Sequence, residues 1–288
     1  MEGPRLNEAL AGLDRLPALP ATAAKAVALL GDGGANAKEV ERLFRTDEGL
    51  ATAVLRRANS AAFAPGARRA FGLRDAIARL GNRALLRIAL EHSAAAPLRD
   101  AGRSFGLERG SLWRGAVGGA GIAECLAREH GYVDADIAFA AALVRDIGKL
   151  AIDALAGDER AASWAGAAPD RPFSDVERDR FGADHAVFGA ALAERWSLPT
   201  PIVAAIRHHH RPDAVNDPLI DIVHCADCVA RWAGLGIGDD GLFHPLSPRA
   251  RASIGLDRPR VEMLASLAHE LVASCATELS DTPQRMSA

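Results

Sequence analysis

The sequence predicts an all-α protein, and three observations carry that prediction. Nearly every patterned segment repeats its apolar residues at helical spacing, whereas alternating β-branched runs closed by Asn-Gly or Asp-Gly are missing. Aromatic residues make up 5% of a chain that is 49% hydrophobic, so the core must be built from Ala, Leu, Val and Ile, a composition suited to closely packed helices. Capping residues also stand ahead of periodic stretches, at Asn36, Asp47, Asp134 and Ser174. At 288 residues the chain exceeds an average domain but suits one large helical unit.

A short first helix is expected over residues 6–13, broken by Leu16-Pro-Ala-Leu-Pro20. Pro20 suits the first turn of the next helix, which runs to Leu30 before the loop at Gly31-Asp-Gly-Gly34. Asn36 with Glu39 three residues on predicts a capping box opening a helix to about Arg45. Asp47 caps the next, which ends at Asn59-Ser60, where Asn59 is expected to hold the following loop to the helix. After a loop with Pro65-Gly66, residues 73–80 and 85–90 are helical with a reset at Gly81. Residues 97–106, with Pro97, Gly102 and Gly106, form a candidate boundary.

Beyond it the helices lengthen. Residues 111–130 form one helix with Gly115, Gly118, Gly119 and Gly121 in its middle. Each glycine costs a helix about 1 kcal/mol, which predicts close approach by a neighbour or a position where a bulky side chain was dispensed with. Asp134 caps a helix expected to carry the apolar stretch 140–150 and to take Asp146 into the interior. Residues 158–172 are looser, with Trp164 as anchor, and Ser174 with Glu177 reads as a second capping box. Helices follow over 182–196, from Pro199-Thr-Pro201 to His208-His209-His210, and from Pro218 through Val229. Residues 234–251 are loop-rich, and a last helix presents Val261, Leu264, Ala268, Leu271, Val272 and Cys275 on one stripe. Three segments result: a short-helix subdomain over 1–96, a helical subdomain over 107–235, and a C-terminal loop and closing helix over 236–288.

Bulk properties exclude several classes. The net charge of −3 is not that of a nucleic-acid-binding polycation. No run of 18 apolar residues suggests a membrane span, and the N-terminus lacks a basic-then-apolar signal pattern. Cys125, Cys225, Cys228 and Cys275 do not make a disulfide framework in a chain of this length, so a reduced, cytoplasmic setting is expected. Cys225-Ala-Asp-Cys228 has CxxC spacing, but without a second pair it reads as core. His130 and His244 read as structural or solvated histidines, not as ligands.

The residues with chemistry lie in the second half: Asp146, Asp184-His185, His208-His209-His210, His224 and Asp227. Imidazole and carboxylate are ligands for iron, manganese, zinc or magnesium. A buried acid is costly unless paired or metal-bound, so Asp146 and Asp227 each require a partner. Arg145 and Lys149 lie four apart, on one helical face, and with the histidines suggest an anion site; ordinary helix charges are the competing reading.

The order of short tags resembles the HDOD domain, the regulatory branch of the HD superfamily of metal-dependent phosphohydrolases. The tags are Leu16-Pro-Ala-Leu-Pro20, Asp47-Glu-Gly-Leu50, Leu55-Arg-Arg-Ala-Asn-Ser60, Ala76-Ile-Ala-Arg-Leu-Gly81 and Leu112-Trp113. They continue with Asp146-Ile-Gly-Lys149, Phe181-Gly-Ala-Asp-His185, Gly189, Trp196-Ser-Leu-Pro199, His209-His210 with Pro212, and Ala226-Asp227. The resemblance covers about residues 11–232 and implies an HD-like helical bundle with an N-terminal short-helix subdomain.

In catalytic HD proteins a histidine, a His-Asp pair and a distal aspartate hold the metal. The resemblance carries these onto Gly115, Arg145-Asp146 and Asp227. Gly115 has no ligand atom, and Arg145 has no lone pair and stays cationic. A divalent ion about 4 Å from a guanidinium is disfavoured by roughly 8 kcal/mol at an effective dielectric of 20. Arg145 is therefore expected to replace the metal's charge, with Asp227 or His185 a better partner than Asp146. The expected pocket is vestigial, comprising Arg145, Asp146, Lys149, His185, His209, His210 and Asp227. No cofactor and no catalysis are expected; any metal would sit on Asp146, His185, His209, His210 and Asp227. The resemblance implies a bacterial signal-transduction module that contacts other signalling proteins, such as members of cyclic-dinucleotide or two-component pathways. No receiver, cyclase or kinase segment is recognised, so a stand-alone module with separate partner chains is expected. A phosphohydrolase acting on a nucleotide or cyclic dinucleotide, and a phosphate or nucleotide sensor, are the alternatives.

Overall fold

The computed structural model describes residues 21–31, 36–60, 63, 70, 72–131, 133–157, 164, 171–241 and 245–280. The expected first helix, the Leu16–Pro20 break, the Pro65-Gly66 loop and His244 lie outside them. The described residues hold 13 α-helices and no strand, as the sequence predicts. In chain order these are α1 (Ala21–Gly31), α2 (Ala37–Phe44), α3 (Glu48–Ala58), α4 (Leu73–Asp100), α5 (Ser111–His130), α6 (Ala135–Leu143), α7 (Lys149–Ala156), α8 (Phe173–Phe181), α9 (His185–Arg195), α10 (Thr200–His208), α11 (Pro218–Trp232), α12 (Pro248–Ile254) and α13 (Arg258–Ser280).

The N-terminal helices lean on α4. Asp47 caps α3 by accepting from the Leu50 amide, and Asn36 caps α2 by accepting from Lys38, so its capping box closes only on the Asn side. Asn59 clamps the following loop in both directions: it donates to the Ala70 carbonyl at 3.2 Å and accepts from the Ala70 amide at 2.7 Å. Gly81, at φ 74° and ψ 170°, breaks α4 in its first half, and the helix then runs through Pro97 to Asp100. α4 also joins the two halves. Its Arg87 pairs with Glu124 of α5 at 2.9 Å and Asp136 of α6 at 3.1 Å, with its guanidinium 3.5 Å from the Phe139 ring centre.

α5 is the central strut. A Cβ at Gly118 would lie 2.5 Å from Leu235, and one at Gly121 2.0 Å from Leu271 of α13. Small residues thus let the last helix and the 234–241 loop approach closely, as the glycine run predicts. On α13, Leu264 and Ala268 are buried and Val261, Leu271 and Val272 half-buried; the Cys275 side chain is outside the described residues. Trp164 donates to the Ser104 carbonyl and packs on Phe105 and Phe173.

Three local expectations are corrected. Residues 140–150 are not one helix: α6 ends at Leu143, and turns lead to α7 at Lys149, so Asp146 sits between helices. The cause is packing at Gly148, where a Cβ would lie 1.9 Å from the His185 carbonyl oxygen; the chain turns where α9 presses against it. Ser174 and Glu177 form no capping box. Pro172 occupies the N-cap position, Ser174 falls inside α8, and Glu177 turns inward to His185. The helix expected from residue 182 begins at His185, capped by Asp184 accepting from Val187.

Candidate functional site

The turn between α6 and α7, the start of α9, the end of α10, the middle of α11 and the 236–241 loop converge on one buried cluster. Six of its side chains form a closed circuit of alternating charge. Arg145 Nε lies 2.7 Å from Asp227 Oδ1 and 3.3 Å from Asp146 Oδ2. Arg231 Nε lies 3.4 Å from Asp227 Oδ2, and its Nη1 2.9 Å from Asp240 Oδ2. Lys149 Nζ closes the circuit, 2.9 Å from Asp240 Oδ2 and 3.3 Å from Asp146 Oδ1. No side chain in the circuit is more than 4% exposed, so nearly all the water these six charges would hold is replaced by one another.

Arg145 is held further by its own backbone surroundings. Nη1 donates to the Ala142 carbonyl at 2.8 Å and Nη2 to the Gly115 carbonyl at 3.3 Å. A Cβ at Gly119 would lie 2.6 Å from Nη1, so this glycine makes room for the guanidinium. The charges respond to this enclosure. Burial works against the Asp146 carboxylate, but Lys149 and Arg145 outweigh it and hold its pKa well below the usual range. Burial also works against the Lys149 ammonium, which Asp146 and Asp240 nonetheless raise above its ordinary value.

The histidines form a second layer. Glu177, fully buried, holds His185 Nδ1 at 2.7 Å and accepts from the His185 amide at 2.8 Å. His185 Nε2 faces His210 Nε2 at 2.8 Å and Asp146 Oδ1 at 3.3 Å. Burial disfavours an imidazolium there, yet the Glu177 charge and hydrogen bonds to Asp146 and Glu177 raise its pKa to about 10. His209 is the opposite case: burial pushes it down to about 4. His209 Nδ1 sits 2.7 Å from the Ile206 carbonyl, which can only accept, so this nitrogen bears the proton and Nε2 carries the lone pair. That buried Nε2 has no hydrogen-bond partner.

His224 is structural. Its Nδ1 donates to the His209 carbonyl at 2.6 Å and its Nε2 accepts from the Ser247 amide at 3.0 Å. His208 lies outside the cluster. Cys225 and Cys228 are buried in α11, where burial pushes the Cys225 thiol up to about 12 and that of Cys228 well above its ordinary value.

All seven residues of the predicted pocket therefore meet. Sequence reasoning missed Arg231, Asp240 and Glu177. Arg231 was legible as the i+4 neighbour of Asp227 on one helix face. Asp240 lies in a glycine-flanked loop with no periodic signal, and Glu177 resembles a capping residue.

The residues do not fit the catalytic metal site that the HD resemblance implies. Arg145 stands where the resemblance expects a ligand histidine, and its charge is neutralised by Asp227 and Asp146. At Gly115 a Cβ would already lie 3.0 Å from the Gly236 Cα, so backbone fills the space a ligand side chain would need. The anion reading fits poorly too, because Arg145 and Lys149 are buried against carboxylates.

Comparisons agree with this architecture. Among solved structures, the chain is similar to a candidate signal transduction protein from Marinobacter aquaeolei VT8, at 21% identity and TM-score 0.69, covering 96% of this chain and 65% of that one. It is also similar to a candidate phosphohydrolase from Shewanella amazonensis SB2B, at 24% identity and TM-score 0.67, covering 92% and 97%. At these identities the likeness concerns the fold. An uncharacterized protein of Treponema pallidum (strain Nichols) is 28% identical over 227 residues, 76% of this chain, which spans 43% of that protein's length. The HDOD domain family model matches residues 16–212, well over half the sequence, and the chain belongs to the HDOD domain family.

Proposed function

We propose that the protein is a non-catalytic HDOD signal-transduction module that acts through contacts with other proteins. The closed charge circuit carries this reading. Arg145, Lys149 and Arg231 supply to Asp146, Asp227 and Asp240 the positive charge that metal ions supply in a hydrolytic HD site. Catalysis there would need an electrophilic metal to activate water and neutralise developing phosphate charge. Guanidinium and ammonium groups already bonded to carboxylates, and nearly closed to solvent, offer neither an open coordination position nor a free charge. The circuit instead ties three distant stretches of the chain together, the turn into α7, α11 and the 236–241 loop, as a scaffold requires.

The test is hydrolysis of nucleoside phosphates and cyclic dinucleotides by full-length protein supplied with Mn2+ or Fe2+. The expected result is no turnover above that of Asp227→Asn. Turnover abolished by Asp227→Asn overturns the proposal in favour of a phosphohydrolase.

A further inference from the structure

Outside the charge circuit, a cavity of about 150 Å³ opens at the start of α8. Pro172, Phe173 and Pro245 give it apolar walls, Ser174 and Arg178 line it from α8, and Arg211 lines it from the turn after α10. Three features of these walls ask for one kind of occupant. The first is the helix end. Pro172 at the N-cap provides no side-chain cap, so the positive end of the α8 dipole and its first-turn amides border the cavity. The second is Ser174. It is only 8% exposed, and its hydroxyl has no hydrogen-bond partner among the described residues. A hydroxyl buried in that way is costly unless the cavity supplies what it lacks. The third is a crowd of like charge. Arg178 bonds Asp175 and Asp184, yet burial, with Arg211 and Arg171 beside it, outweighs the Asp184 carboxylate and lowers its pKa. Asp184 is shared with the cap of α9, where it accepts from the Val187 amide. Arg211 reaches Asp175 only at 3.5 Å and its side chain is 62% exposed, so most of its donors stay open at the rim.

We infer that this cavity binds a small phosphate monoester, held by the Ser174 hydroxyl, the first-turn amides of α8 and the Arg211 guanidinium, with Arg178 behind them. A helix N-terminus is a ready anion site, and a guanidinium adds charge-assisted hydrogen bonds. The donors come from different directions, which suits a tetrahedral group with three terminal oxygens. A planar carboxylate would leave part of them unused. Pro172, Phe173 and Pro245 offer apolar contact to the carbon group of the ester. Asp175 shares this wall and already balances Arg178, so Arg211 is the cation that decides affinity. The site needs no metal and takes nothing from the charge circuit, whose cations stay on their own carboxylates. Binding there is a ligand input to the module and not turnover.

The experiment is isothermal titration of full-length protein, kept in chelator, with inorganic phosphate and with glycerol 3-phosphate at constant ionic strength. Chelator removes any phosphate held through a metal, and constant salt removes general screening. The expected result is saturable binding of one ligand per chain, tighter for glycerol 3-phosphate. Arg211→Ala, a change at the exposed rim, should weaken it at least about 10-fold, the loss of a charge-assisted contact. Ser174→Ala should weaken it about 5-fold, the loss of a neutral hydrogen bond. Arg207→Ala removes the same charge one turn away, outside the cavity lining, and should leave affinity unchanged. Thermal melts confirm that each variant is folded. No saturable binding by the parent, equal affinity in the parent, Arg211→Ala and Ser174→Ala, or equal weakening by Arg207→Ala and Arg211→Ala overturns this inference. Each of those results leaves the non-catalytic proposal standing.

Discussion

Replacing Arg145 by methionine tests the charge circuit at its most constrained point. The guanidinium contacts Asp227 at 2.7 Å and Asp146 at 3.3 Å. At an effective dielectric of about 20 these contacts are worth roughly 6 and 5 kcal/mol before desolvation. Desolvation cancels much of that for the intact circuit, but Arg145→Met regains only the arginine's share and leaves two carboxylates dry beside one lost cation. Breaking a buried ionic group in this way costs about 3–5 kcal/mol. For 288 residues the unfolding entropy is about 0.6 kcal/mol/K, so the melting temperature should fall by about 5–8 °C. Helix loss by circular dichroism in thermal and urea unfolding measures this. Arg145→Met combined with Asp227→Asn should recover at least about 1 kcal/mol, because it removes the charge that the first change strands. A single variant within about 1 kcal/mol of the parent, or strictly additive losses in the double, would refute the argument that Arg145 stands in for a metal.

Burial opposes the Glu124 carboxylate, but its hydrogen bond to Arg87 and the Arg87 charge hold its pKa below 4.5. With the folded value below the unfolded one, this pair stabilises the fold fully above about pH 4.5 and loses that contribution as pH falls through the lowered value. Arg87→Met should therefore cost about 2 kcal/mol at neutral pH and less at about pH 3, read from melting at both. Gly119→Ala places a methyl 2.6 Å from the pinned Arg145 guanidinium and should cost about 1–3 kcal/mol despite alanine's better helix propensity. Gly148→Ala meets backbone at 1.9 Å and should cost more, so denaturant midpoints ranking the two in reverse would count against the geometry. Cys225 and Cys228 should resist maleimide in native protein at about pH 8 and react only on unfolding, a result mass spectrometry reads directly.

The helical class and most element positions were legible because each depends on local pattern, and the residues of the pocket because the resemblance to the HDOD domain implied them. Asp47, Asp134 and Pro218 mark helix starts through groups within a few residues of themselves, and helical spacing exposes which face is buried. The conflict at Arg145 was legible too, since a guanidinium cannot ligate a metal in any fold. What local pattern did not contain is the set of partners. Arg145 lies 82 positions from Asp227, Lys149 lies 91 from Asp240, and Gly148 touches His185 across a helix interface. The same lack of long-range information made 140–150 read as one helix and Glu177 as a cap. The sequence by itself determined an all-helical chain with an arginine where the family resemblance expects a ligand histidine. The tertiary structure decided that three cations close a circuit on three carboxylates and that three imidazoles converge beside it. Such buried charges and lone pairs are satisfied only by groups that folding brings from distant parts of the chain.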